Sequence, residues 1–119
     1  MTIIATGIMV AEAKKAVEML KKDGISAELI SANVIKPLDE KTILESIKKT
    51  KHVVTCENHN LIGGLYSAVA ELVCQRYPLK INGIGVKDRF GQVGKYNDLL
   101  KEYQMTPQDI YYIVKNSLD

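Results

Sequence analysis

Few of the features that announce a function outright are present in this sequence. It holds two cysteines, Cys56 and Cys74, at no metal-ligand spacing. They fall in an apolar strand and on an apolar helix face, where a thiol behaves as a small hydrophobe, so metal and redox chemistry are disfavoured. No block of one charge appears. Sixteen basic and fourteen acidic side chains leave a formal charge of +2, with Lys and Glu interleaved, and that is no footprint for nucleic acid. No apolar run is long enough to span a membrane. The opening MTIIATGIMV has no basic leader and gives way to AEAKKAVEMLKK, too short for a signal peptide, so a soluble, cytoplasmic protein is expected. There is no internal repeat, low-complexity tract or linker. What remains is an ordinary globular composition, 46% hydrophobic and 25% charged over 119 residues, enough for one domain (1–119) around one core.

The pattern along the chain alternates strands with helices. Thr2 to Thr6 (TIIAT) is β-branched and stops at Gly7. Val10, Ala13, Val17 and Leu20 then recur at helical spacing until Asp23-Gly24. Ile25 to Ile30 is the next extended stretch, with a possible run to Ile35 before Pro37 interrupts it. Asp39 caps a helix whose buried face is Ile43, Leu44 and Ile47 and whose C-terminal end carries Lys48, Lys49 and Lys51. His52 to Cys56 is a third strand. Leu65, Ala68, Val69, Leu72 and Val73 make a helical stripe reaching Tyr77-Pro78. Lys80 to Val86 is a fourth strand, Lys87 to Lys95 a polar loop, and Tyr96 to Tyr103 a short helix. A last helix starts with Thr106 as cap, Pro107 in the first position and Asp109 three residues after the cap; its apolar face is Ile110, Ile113, Val114 and Leu118. Such alternation implies parallel strands joined by right-handed crossovers, hence a three-layer α/β/α sandwich. Ligands of these sheets bind beyond the carboxyl ends of the strands, here at Gly7, Lys36 to Asp39, Glu57 to Gly64 and Lys87 to Lys95.

Two of those turns carry candidate chemistry. Gly63 and Gly64 could present backbone N–H groups to an anion at a helix start, but no Walker-type lysine follows and no GxGxxG is present. The plainer account is a glycine pair that lets the helix begin close to the sheet. His59 lies two residues beyond Glu57, so both side chains could share one side of an extended chain and do acid–base work. A hydrogen-bonded structural histidine is the commoner case, and no partner completing a nucleophile–base set is visible. Lys87, Arg89 and Lys95, with Asp88, Gly91 and Gly94, could meet a phosphate or an acidic surface, or could simply be solvated. Tyr111-Tyr112, together with Tyr103, is expected to pack the last two helices rather than stack on bases.

Four stretches, taken in order and at their separations, carry a family resemblance: TIIATGIMVAEAKKAVEML, ISAELISANVIKPLDEKTIL, HVVTCENHNLIGGLYSAVAE and VKDRFGQVGKYNDLLKEYQMTPQDI. Together they resemble the C-terminal domain of transketolase, over essentially the whole chain. The most specific elements are IKPLD at Ile35 to Asp39, the acid, histidine and Gly-Gly segment at Glu57 to Gly64, and DRFGQVGK followed by DLLKEY. Asn58 stands where a second acid is usual, Val93 where Ser is common and Tyr96 where Pro is common. Related domains occur in 1-deoxyxylulose-5-phosphate synthase and in the decarboxylase components of 2-oxo-acid dehydrogenases.

The resemblance implies about four parallel strands in the order 2-1-3-4, with an antiparallel edge strand of the family missing ahead of the first. It implies a parent enzyme that moves a two-carbon ketol unit from a ketose phosphate to an aldose phosphate with thiamine diphosphate and a divalent metal, usually Mg²⁺. Other domains of such an enzyme hold the cofactor, the metal and the activating glutamate, and no catalytic, cofactor-binding or metal-binding residue carries over to this chain. The expected role is assembly: a homo-oligomer, a dimer, partnered by the catalytic domains or subunit, with no nucleic acid and no membrane. Glu57, His59, Gly63, Gly64, Lys87, Arg89 and Lys95 stand as candidates for an anion or interface site. Two other readings stay open: a free-standing module binding a phosphorylated metabolite, and a partner-docking domain of a 2-oxo-acid dehydrogenase.

Overall fold

Four parallel strands lie in the order β2-β1-β3-β4, with helices between successive strands along the chain. The computed structural model describes residues 1–32, 38–60, 64–86 and 105–118, residues 58–60 and 86 through the backbone alone. The elements run β1 (Thr2–Ala5), α1 (Met9–Lys22), β2 (Glu28–Ser31), α2 (Glu40–Thr50), β3 (Val53–Asn60), α3 (Leu65–Arg76), β4 (Ile81–Val86) and α4 (Pro107–Leu118). The expected short helix at Tyr96 to Tyr103 and the loop at Lys87 to Lys95 lie outside the described residues, as does most of IKPLD.

Alternation along the inner strands sorts the core into two faces. Ile3, Ala5, Val54 and Cys56 point to one side, where they meet Met9, Ala13, Ala16 and Leu20 of α1 and Ile110 and Val114 of α4. Ile4 and Val53 point to the other, where Ile43 and Ile47 of α2 and Leu65, Val69 and Val73 of α3 cover them. β1 is buried at every position, as a strand paired on both edges and packed on both faces must be. The α/β/α sandwich is therefore as the sequence pattern implies, and the strand order is as the resemblance implies.

The helix ends obey the signals read in the sequence. Asp39 accepts from the Thr42 amide at 3.3 Å and from its hydroxyl at 2.8 Å, capping α2. Thr106 and Asp109 form a reciprocal capping box: the Asp109 amide donates to the Thr106 hydroxyl at 3.2 Å and the Thr106 amide to the Asp109 carboxylate at 3.0 Å. α1 ends at Asp23, and Gly24 follows at φ +76°, a left-handed conformation that costs glycine little. At the amino ends of the strands, the Thr2 hydroxyl is 2.7 Å from those of Ser46 and Thr50, tying β1 to α2. The Glu28 carboxylate accepts from Ser46 and Lys49 there, and these bonds, Lys49 first, hold it below the ordinary carboxylate range.

Several expectations need correction. β2 begins at Glu28 rather than Ile25, because the Ile25 amide is drawn back to the Leu20 carbonyl (2.9 Å) to close α1. β3 does not stop at Cys56 but runs to Asn60. Cys74 is exposed, not part of an apolar face: Leu72 and Val73 take the inward positions of that turn and leave the next residue outside. Ala68 is only half-buried, and Leu118 is exposed. The two tyrosines of α4 divide their roles. Tyr111 packs on the α1 side of the core and donates its hydroxyl to Asp23, whereas Tyr112 stands in solvent. Tyr103 lies outside the described residues.

Gly83 of β4 marks a close approach. A Cβ there would collide with Cδ2 of Tyr66, on α3, and fall 3.0 Å from the Thr55 hydroxyl. Gly83→Ala is expected to lower stability by about 1–3 kcal/mol through overpacking, read as a reduced urea midpoint at unchanged m; an unchanged midpoint would show that Tyr66 moves aside freely.

Candidate functional site: the junction of β3 and α3

The segment that reads as a turn in the sequence, Glu57 onward, is the end of the central strand. β3 advances from Cys56 to Asn60 while its partner β4 advances only from Ile84 to Val86, a register irregularity in the ladder. Glu57 sits in that stretch with no exposed surface. Its Oε2 accepts from the Leu65 amide at 2.6 Å and its Oε1 from the Tyr66 amide at 3.0 Å. These are the first two N–H groups of α3, which would otherwise lack an intrahelical acceptor. Gly64, the residue before the helix, has no side chain with which to cap it. A carboxylate on a neighbouring strand therefore does the capping, at the end of the helix where the dipole favours negative charge.

Of the candidate residues, the structure brings Glu57 and Gly64 together around this helix start. His59 is described through its backbone only, within β3. Gly63, Lys87, Arg89 and Lys95 lie outside the described residues. The α3 start is electrostatically an anion seat, and its anion is internal. An external phosphate using the Leu65 and Tyr66 amides would have to displace Glu57 and then share the site with its charge. That donor set does not fit a diphosphate, and among the described residues no cluster of His, Cys, Asp or Glu could hold a metal ion.

Cys56, beside Glu57, faces the opposite side of the sheet. Burial, and then the negative charge of Glu57, push its thiol up to about 12, so it stays protonated and inert. One buried carboxylate escaped the sequence reading: Glu12, in the first turn of α1, is 5% exposed and pairs with Lys15 at 3.7 Å. Its signal was present, since Met9, Glu12, Ala13, Ala16 and Leu20 share one helical stripe and only Glu12 in it is charged.

The model of the transketolase C-terminal domain matches residues 1–110. The chain belongs to that family. A putative transketolase C-terminal section of Methanocaldococcus jannaschii is 48% identical over 112 residues, covering 92% of this chain and 34% of that protein. A 6-deoxy-6-sulfo-D-fructose transketolase subunit of Clostridium sp. (strain MSTE9) is 46% identical over 109 residues, again covering 92% of this chain and 34% of that protein. Among solved structures, a split gene transketolase, described as an inactive beta4 tetramer, superposes with a TM-score of 0.93 at 41% identity, covering 98% of this chain and 38% of that one. The chain thus spans about a third of the length of the relatives it matches.

Two outcomes check the state of Glu57 and Cys56 at this junction. Glu57→Gln keeps the shape but turns an amide NH₂ towards an N–H donor, and should cost about 1–3 kcal/mol in chemical denaturation; a loss within error would mean the carboxylate does not hold the helix. Iodoacetamide at about pH 8 should label Cys74 in the native protein and spare Cys56, while both react in denaturant; equal native labelling would contradict the buried, protonated state of Cys56.

Proposed function

We propose that this domain is the C-terminal part of a transketolase whose cofactor-binding parts lie elsewhere, either in the same polypeptide or in a separate subunit. The whole enzyme moves a two-carbon ketol unit from a ketose phosphate to an aldose phosphate, using thiamine diphosphate and Mg²⁺ held by those other parts. This domain contributes to assembly and to the placement of the catalytic parts, as one unit of a homo-oligomer such as a dimer. The observation that carries the reading is the near-complete superposition on the split gene transketolase, a chain of which this one again amounts to little more than a third.

The arrangement at the β3–α3 junction supports a structural rather than a chemical share in the reaction. Its one buried acid is spent on backbone amides. That same occupancy weighs against the reading as a free-standing phosphate-binding module, since the best placed amides already hold a carboxylate. Docking to a 2-oxo-acid dehydrogenase gains no specific support from the described residues.

Calorimetric titration of the 119-residue chain with thiamine diphosphate and Mg²⁺ should show no saturable heat and no ketol transfer, whereas the complete enzyme shows both. Tight binding or turnover by this chain alone would overturn the assembly role.

A further inference from the structure

Asn-Gly is a turn dipeptide by preference, yet Asn82-Gly83 lies inside β4. No other asparagine of the sequence is followed by glycine. Packing accounts for the glycine, because the Tyr66 ring and the Thr55 hydroxyl crowd the place of its Cβ. It does not account for the asparagine. Ile81 belongs to the core face of α2 and α3 and Ile84 to that of α1 and α4, so alternation turns Asn82 towards the second. It is half-buried there, and no described residue holds its carboxamide by a hydrogen bond. Among the described strands β4 pairs with β3 alone, so it can open without the rest of the sheet.

A carboxamide with no partner, ahead of a glycine amide that no Cβ screens, is set for ring closure, a reaction that makes asparagine thermolabile. An extended strand opposes it, because the carboxamide must fold back over its own peptide. We propose that Asn82 is a site of spontaneous covalent modification, reacting when β4 opens. The Gly83 amide nitrogen bonds to Asn82 Cγ, the Cγ–Nδ2 bond breaks, and ammonia leaves with the amide proton. Water then opens the succinimide at either carbonyl, giving aspartate or isoaspartate, and nothing is oxidised or reduced. Both products add a negative charge. The isoaspartate also routes the main chain through Cβ and so lengthens it. Residue 82 can then no longer face Val54 while Gly83 faces Thr55 and lies under Tyr66. Tyr66 also donates its amide to Glu57, so the modification loosens the start of α3 together with β4.

The test uses the polypeptide as its gene encodes it, incubated in mildly alkaline heavy-oxygen water with and without denaturing urea. Cleavage after Lys80 and Lys87 isolates residues 81–87 for mass spectrometry. The native protein should form both products, each with heavy oxygen incorporated, about ten- to a hundredfold more slowly than the denatured chain, because opening an edge strand needs less than global unfolding. Native conversion slower than that by further orders of magnitude, or products free of heavy oxygen, would overturn the proposal. The isoaspartyl form, separated by chromatography, should lose exchange protection at the Leu65 and Tyr66 amides. N82D, which has the charge but the ordinary backbone, should keep it. Unaltered protection in the isoaspartyl form, or an equal loss in N82D, would overturn the link to α3.

Discussion

The bidentate grip of the Glu57 carboxylate on the first two amides of α3 is the interaction around which the carboxyl end of the sheet is arranged. A carboxylate with no exposed surface in a central strand is costly unless donors surround it, and a helix start is costly when its amides lack acceptors. Each cancels the other's penalty, but only if strand and helix are held in one relative position. Glu57 stands where the pairing of β3 with β4 turns irregular, and Gly64 leaves the capping place free of a side chain. Tyr66 then links this junction to the next strand, because its amide holds Glu57 while its ring lies over the bare backbone of Gly83.

At the opposite end of the sheet, polar ties of another kind fix α2. Thr2, Ser46, Thr50, Glu28 and Lys49 join the starts of β1 and β2 to that helix through hydroxyl and charge-assisted hydrogen bonds. Between the two ends, both faces of β1 and β3 are covered by apolar side chains. The result is a scaffold fastened at both ends and filled between them. The polar groups at these two junctions are committed to the domain's own backbone and helices.

Much of this was legible in the sequence because local signals and tertiary structure agree. The β-branched runs became strands, the strand order followed from the family resemblance, and the caps at Asp39 and at Thr106 with Asp109 appear as written. The failures have physical causes. ENHN looks like a turn because polar residues seldom fill a central strand, yet Glu57 is stabilised there by amides eight and nine residues further on, which no local window contains. Cys74 was misjudged because α3 is apolar on more than its buried face, so composition did not say which side of the turn the thiol takes. Glu12 was not singled out, because a lone acid on an exposed-looking helix draws no notice, though its place among Met9, Ala13 and Ala16 puts it on the buried stripe.

The carboxyl end of the sheet depends on the Glu57 carboxylate accepting from both amides at the start of α3. Proton NMR of the backbone amides reads it most directly. Charge-assisted hydrogen bonds should move the Leu65 and Tyr66 amide protons well downfield and slow their exchange with solvent, and Glu57→Gln should return both towards ordinary helical values. Amide protons at unremarkable shifts, exchanging as freely as solvent-facing groups, would contradict it.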